Sequence, residues 1–233
     1  LNESQLEAVT TTSQHVRIVA GAGSGKTRVL TFRIAFLINE MGADPNEILA
    51  VTFTNKAANE MKERVERLVP GSAHFLQVST FHSFCARFLR KEAHLIGYPN
   101  SFTILDDDDT DKMIIDILVD MGYKKKDPFV KTVKNYIANK RNQGILPDDI
   151  TLSPNRYFKE EDKAIEAYRQ YEDKKYAMLA LDFDDLLLKT KQILIEFPHI
   201  REKWANRYRY ILVDEFQDTN DIQFDLLKGL CSP

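Results

Sequence analysis

Residues 20–27 read Ala20, Gly21, Ala22, Gly23, Ser24, Gly25, Lys26, Thr27. These types at this spacing suit one chemistry, the cradling of a polyphosphate. Glycines let the backbone turn tightly enough for successive N–H groups to converge on phosphate oxygens. The N-terminus of a following helix adds partial positive charge. Lys26 can then reach the β- and γ-phosphates, and the Thr27 hydroxyl can hold Mg2+. The usual pattern opens with glycine; Ala20 stands there instead, which leaves Gly25, Lys26 and Thr27 undisturbed. A glycine-rich turn that merely caps a helix is the competing reading. A strand-like run before the loop, Gly-Lys-Thr at its end and an apolar helix after it all favour nucleotide binding.

A second candidate lies near the other end, where Ile211, Leu212 and Val213 lead into Asp214 and Glu215. In open α/β sheets, ligands bind beyond the carboxyl ends of the strands. A carboxylate at Asp214 could bind the hydration shell of Mg2+, and Glu215 could orient and deprotonate an attacking water. Alone, two acids after an apolar strand more often begin a loop or cap a helix. Paired with the phosphate loop they become the other half of an ATPase.

These residues need a scaffold, and the first hundred positions alternate helix-like and strand-like runs. Residues 2–10 suggest a short helix capped by Asn2, and 15–20 a short strand entering the glycine loop. Residues 27–40 form an apolar helical run (Val29, Leu30, Phe32, Ile34, Phe36, Leu37) stopped by Gly42. Residues 48–53 read as a buried strand. Ala57, Ala58, Met61, Val65 and Leu68 then fall at helical spacing. Residues 76–80 suggest a third strand and 102–105 a fourth. Alternation with near-continuous apolar strands predicts a parallel sheet covered on both faces. After residue 106 the patterns become helical, with dense charge and no β-runs, and Pro147 and Pro154 punctuate a loop. A strand returns at 210–214. The expected architecture is an α/β domain interrupted by a helical insertion.

Composition constrains partners. The 233 residues are 43% hydrophobic and 29% charged with a net charge of −3, an ordinary globular balance. The whole-molecule field does not favour a polyanion, so any nucleic-acid contact must be local. Cys85 and Cys231 are far apart and fit free thiols in a reducing cytoplasm better than a disulfide or zinc site. No apolar window is long enough to span a membrane. Leu1 in place of an initiating Met suggests a trimmed chain.

The segments AGAGSGKTRVL, AVTFTNKAANEM, VSTFHSF, LDFDDLL and ILVDEFQDTN, in this order, closely resemble the superfamily 1 DNA helicases of the UvrD/Rep/PcrA group. The opening LNESQLEAV is similar to that family's Q motif. The matches run from residue 1 to residue 220, and TFTNKAA together with DEFQDTN is highly specific. The resemblance implies a RecA-like P-loop NTPase fold, its parallel sheet interrupted by an all-helical inserted domain. Residues 1–105 and 205–233 would form the ATPase domain and 106–204 the insertion. It implies that Gln5 hydrogen-bonds adenine, that Arg28 lies beside the nucleotide, and that Gln217 couples nucleotide state to DNA. The cofactors implied are ATP and Mg2+. The partners are single-stranded DNA and single/double-strand junctions, with 3′–5′ polarity.

The same resemblance makes TFTNKAA and STFHSF the lining of a single-strand track. Phe53 and Phe81 could stack bases for about 1–3 kcal/mol each. Thr52, Thr54, Asn55, Lys56, Thr80 and His82 offer donors to phosphates, which position a strand without reading its sequence. Plainer readings stand beside these. Gln5, three residues after Asn2, could complete a capping box. Phe53 and Phe81 could be core aromatics. Asp106–Asp109 suit a solvent-facing helix cap, and Asp182, Asp184 and Asp185 a helix start rather than a metal cluster. Lys124–Lys126 suits a solvated loop, with a duplex-phosphate contact as the alternative.

Nothing after residue 220 resembles the family's later motifs or the second RecA-like domain with its arginine fingers, which are worth roughly 10³–10⁵ in rate. The chain is therefore expected to bind Mg·ATP, hydrolyse it poorly and not unwind DNA alone. Two alternatives are a nucleotide-responsive DNA-binding module without turnover, and part of a helicase–nuclease subunit.

Overall fold

The computed structural model describes residues 1–21, 23–151 and 160–231. Ala22, Pro154 and the terminal Pro233 lie outside them. The chain forms two compact units, Leu1–Phe84 with Leu194–Pro233, and Cys85–Ile193. The border thus falls after Phe84, inside a helix, and not at the compositional change near residue 106.

In the first unit, α1 (Glu3–Thr10) opens on a reciprocal cap: Gln5 N donates to Asn2 Oδ1 and Asn2 N donates to Gln5 Oε1. Helix α2 (Lys26–Asn39) follows the glycine loop and buries Val29, Ile34, Ala35 and Leu37. Next come β1 (Ile48–Thr52), α3 (Asn55–Leu68), β2 (Gln77–Thr80) and the first turn of α4 (Phe81–Glu92), whose remainder belongs to the second unit. Strand β1 is buried at every position because it is central.

The second unit holds β3 (Thr103–Ile104), α5 (Asp107–Asp120), α6 (Pro128–Asn142), α7 (Glu161–Ala177), β4 (Ala180–Leu181) and most of α8 (Phe183–Glu196). Asp106 and Asp109 form a reciprocal cap on α5, and Lys124–Lys126 lie on an exposed loop. The chain then returns to the first unit through α9 (Pro198–Ala205), β5 (Tyr210–Val213) and α10 (Asp221–Leu230).

The main sheet is parallel, in the order β2-β1-β5, with Thr52 beside Thr80 and Val51 beside Val213. Its core is filled by Ile34 and Leu37 of α2, Ile48 and Ala50 of β1, Met61 and Val65 of α3, and Leu212 of β5. All three strands therefore end at one edge, which is what the chemistry of residues 52, 80 and 214 requires.

Three expectations change. Residues 15–20 are not in the sheet, and Val19 is 82% exposed. A β-rich run becomes a strand only when a neighbour satisfies its backbone groups, and β5 is bonded here to β1 alone among the described residues. The run at 102–105 forms β3, but it pairs with β4 in a separate parallel sheet. The stretch after 106 is therefore not all-helical. Ala180–Leu181 is too short for periodicity to reveal, and its pairing depends on a strand far away in sequence.

Candidate nucleotide and nucleic-acid site

The glycine loop turns where glycine is needed. Gly23 and Gly25 have φ of +73° and +89°, a region that strains other L-residues. A Cβ on Gly25 would also lie 3.4 Å from Gln5 Nε2. The Ser24 hydroxyl donates to Gly21 O at 2.7 Å and tightens the turn. Lys26 Nζ folds back over the loop and donates to Ala20 O at 3.2 Å.

Gln5 does two things at once. Its oxygen completes the α1 cap, while its Nε2 donates to Ser24 O at 2.9 Å. The helix start is thereby tied to the phosphate loop. A residue that sequence reasoning missed fixes the other end of α1: Arg33 Nη1 donates to Ala8, Val9 and Thr11 carbonyls at 3.0–3.1 Å. This guanidinium supplies the cationic helix C-terminus that α1 lacks in its own sequence. Only an interhelical contact reveals it.

The acidic strand end meets the loop directly. Asp214 N donates to Val51 O at 2.9 Å, extending the ladder one residue past β5. The Asp214 side chain is 5% exposed, and its Oδ2 accepts a 2.9 Å hydrogen bond from the Thr27 hydroxyl. Residues 187 apart in sequence thus present a hydroxyl and a carboxylate side by side. Hard oxygen donors of this kind suit Mg2+, and a glycine loop leading into a helix N-terminus suits phosphates. The residues present therefore fit both members of a Mg·nucleotide.

Glu215 follows in the left-handed region, φ 51° and ψ 42°. A non-glycine residue there costs of order 1–3 kcal/mol, and such strain clusters at functional positions. Glu215 is half-buried, and Gln217 Nε2 donates to its carboxylate. Arg28 is exposed, its guanidinium 5.6 Å from the Phe32 ring centroid.

The two segments proposed to line a strand track emerge side by side, because Thr52 and Thr80 are register partners. Their side chains divide into two groups. Thr54, Asn55 and Lys56 are exposed at the start of α3, with Thr54 Oγ1 accepting from Ala57 N as the helix cap. Thr52 and Thr80 are buried, and their hydroxyls donate to Thr54 O and Ser83 Oγ. Phe53 is half-buried, His82 likewise, and Phe81 is 3% exposed. The Phe53 and Phe81 rings meet edge to face at 5.8 Å. Phe81 therefore offers no free face to a base in this conformation and acts as a buttress for Phe53.

The carboxylates of Asp182, Asp184 and Asp185 face cationic side chains: all three pair with Arg141, and Asp182 and Asp185 also with Lys175. Asp182 and Asp185 cap the start of α8 through reciprocal backbone hydrogen bonds of 2.9 and 3.1 Å. Cys85 is a buried free thiol pushed up to about 12 by burial, and Cys231 is free and exposed. No described helix is long and apolar enough to cross a membrane.

A glycine loop joined through Thr27 to an acidic strand end defines a class, and the comparisons agree: the UvrD/REP helicase N-terminal domain matches residues 1–233, and the chain belongs to this family. Among individual relatives, it is 42% identical over 232 residues to the "ATP-dependent DNA helicase PcrA" of Staphylococcus aureus (strain NCTC 8325 / PS 47). The proteins of the same name from S. aureus (strain COL) and from Staphylococcus epidermidis (strain ATCC 12228 / FDA PCI 1200) match equally. In each case the match covers 100% of this chain and 32% of the relative, so the chain spans about a third of their length.

Proposed function

We propose that this chain is the N-terminal ATP-binding and single-stranded-DNA-binding portion of an ATP-dependent 3′–5′ DNA helicase or translocase. The observation that carries the reading is the 2.9 Å contact between the Thr27 hydroxyl and the Asp214 carboxylate at the end of a parallel sheet. Membership of the UvrD/REP family and identity to relatives named ATP-dependent DNA helicase supply the motor context. On this reading the segments either side of the second unit build a RecA-like ATPase domain, and a mainly helical domain is inserted between them. Free thiols at Cys85 and Cys231 fit a cytoplasmic setting.

The residues divide the work. Backbone N–H groups of the glycine loop and the α2 N-terminus hold phosphate oxygens, and Lys26 leaves the Ala20 carbonyl to meet them. Thr27 and Asp214 would hold Mg2+, which when bound supplies charge neutralisation on the phosphates. Glu215, held by Gln217, accepts a proton from an attacking water, and Gln217 helps couple nucleotide state to DNA. Gln5 reads the base edge and Arg28 flanks it. Phe53, Thr54, Asn55, Lys56 and His82 meet the strand; Thr52, Thr80 and Phe81 support them from behind. The strand is single, and junctions are the natural substrate of such a motor.

The chain carries about a third of its relatives' length, so residues 1–233 are expected to bind Mg·ATP with slow turnover and without unwinding. Lys26→Ala should abolish binding of a fluorescent ATP analogue. Glu215→Gln in the longer protein should keep that binding and lose DNA-stimulated hydrolysis. Full turnover by Glu215→Gln would remove the general-base role, and strong DNA-stimulated turnover by residues 1–233 would remove the claim of incompleteness.

A further inference from the structure

In the first unit an open pocket of about 420 Å³ lies between α2 and α3, lined by Arg28, Thr31, Phe32, Arg64, Arg67 and Leu68. Its volume is within the range of small-ligand sites. Its floor is apolar, from the Phe32 ring and the Leu68 side chain, both half-buried. Its rim is cationic, from three guanidinium groups. Arg28 lies over Phe32. Arg64 and Arg67 pair with exposed neighbours one helical turn back, Glu60 at 3.7 Å and Glu63 at 3.8 Å. Such pairs are weak and readily exchanged for a better anion.

The two halves of this pocket call for different chemistry in one ligand. Guanidinium forks match the tetrahedral oxygens of a phosphate, and they bind it in pairs. The Phe32 ring and the Leu68 side chain match a flat, apolar group such as a base, while Arg28 stays with the base of the glycine-loop nucleotide. We infer that the pocket between α2 and α3 is a second nucleoside-phosphate site, separate from the glycine loop, in which Arg64 and Arg67 hold the phosphate and Phe32 the base. The nucleoside phosphate comes either from a free nucleotide or from a nucleic-acid strand. Lys56 lies on the same helix as Arg64 and Arg67, so a strand leaving the start of α3 meets these cations next. The inference rests on the reading of this chain as a nucleotide- and strand-binding protein.

Arg64 and Arg67 are exposed on the surface of α3, so their alanine variants are expected to keep the fold. The test titrates wild type, Lys26→Ala, Arg64→Ala/Arg67→Ala and the triple variant with fluorescent ADP and with labelled oligothymidylate. If the site takes free nucleotide, wild type binds two ADP per chain, Lys26→Ala and the double variant one each, and the triple variant none. If it takes a strand, ADP stoichiometry is one and unchanged in the double variant. Its oligothymidylate affinity then falls by roughly tenfold or more, as expected for losing charged hydrogen bonds, and its salt slope falls by about 0.7 per lost phosphate contact. Single ADP stoichiometry with unchanged strand affinity in the double variant overturns the inference. Failure of the glycine-loop reading would appear separately, as undiminished ADP binding in Lys26→Ala.

Discussion

At the scale of single residues, Gln5 and Thr27 each join two parts of the site, and each makes a separable prediction. Gln5 caps α1 through its oxygen and holds Ser24 O through its nitrogen. Gln5→Glu keeps the accepting oxygen and loses the donor. It should leave the melting temperature close to wild type while weakening nucleotide binding. Gln5→Ala should weaken binding too and also cost about 1 kcal/mol of stability, the usual loss of a cap. Thermal melts and fluorescent-ADP titrations of both variants distinguish the roles; equal melting losses would assign Gln5 to the cap alone. Thr27 donates to a buried Asp214 carboxylate. Thr27→Val keeps the shape and removes the oxygen, so ADP affinity should become nearly independent of added MgCl2, whereas wild type should tighten with it. A preserved Mg2+ dependence would exclude Thr27 as a ligand. The sequence made both residues visible, because their types and offsets from Asn2 and Lys26 are local. It could not decide between cap and base contact for Gln5, since both use the same side chain. Nor could it separate Phe53 from Phe81: both follow strands, and only packing makes one a half-exposed face and the other its buried support.

At the scale of elements, the junction between β4 and α8 depends on a buried ionic cluster. Arg141 Nη2 donates to Asp182 at 2.7 Å and to Asp185 at 2.8 Å, and it also pairs with Glu172. Lys175 Nζ reaches the same two aspartates at 2.9 and 2.7 Å, and the Tyr171 hydroxyl donates to Asp182. The helix-start role of Asp182 and Asp185 was legible from their spacing. Their cations were not, because Arg141 lies 41 residues before Asp182 on another helix. The missing strand at 15–20 illustrates the same limit, since a ladder partner is a tertiary fact. Removing one member leaves charges stranded, so Arg141→Met should cost about 3–5 kcal/mol in urea unfolding. The pH dependence follows from opposed shifts. Burial raises the Asp185 carboxyl, but Lys175 and Arg141 outweigh it and hold it below the usual carboxylate range. A depressed folded value gives stability that is full above the unfolded pKa of about 4 and is lost as pH falls through the folded value. Glu172 runs the other way: burial outweighs Lys175 and Arg141 and raises it, so it erodes stability as pH rises past the ordinary carboxylate range. Urea unfolding between pH 2 and 7 should show an acid limb that Asp185→Asn flattens; an unchanged limb would show that other carboxylates set it.

At the scale of the whole chain, the topology is asymmetric. The first unit is discontinuous, since β5 and Asp214 arrive only after the second unit has been made. The second is one continuous stretch, Cys85–Ile193. One hydrophobic cluster within it joins α5, α6 and α7, through Ile114, Ile117, Leu118, Val133, Ile137, Tyr168 and Tyr171. The ionic cluster and the β3-β4 pair also lie within it. A segment that holds its own core and its own polar network meets the physical definition of a domain. Residues 85–193 expressed alone should therefore unfold cooperatively, with native near-ultraviolet circular dichroism from the packed tyrosines. Residues 1–84 alone should not, because without β5 the central strand β1 loses one of its two neighbours and Asp214 is gone. Calorimetry and dye binding on the two pieces decide the matter. A gradual melt or strong dye binding by residues 85–193 would mean that the first unit is needed to complete the second. A cooperative melt by residues 1–84 would mean that the sheet is stable before the chain returns to it, so that the nucleotide site forms last, on a scaffold already folded.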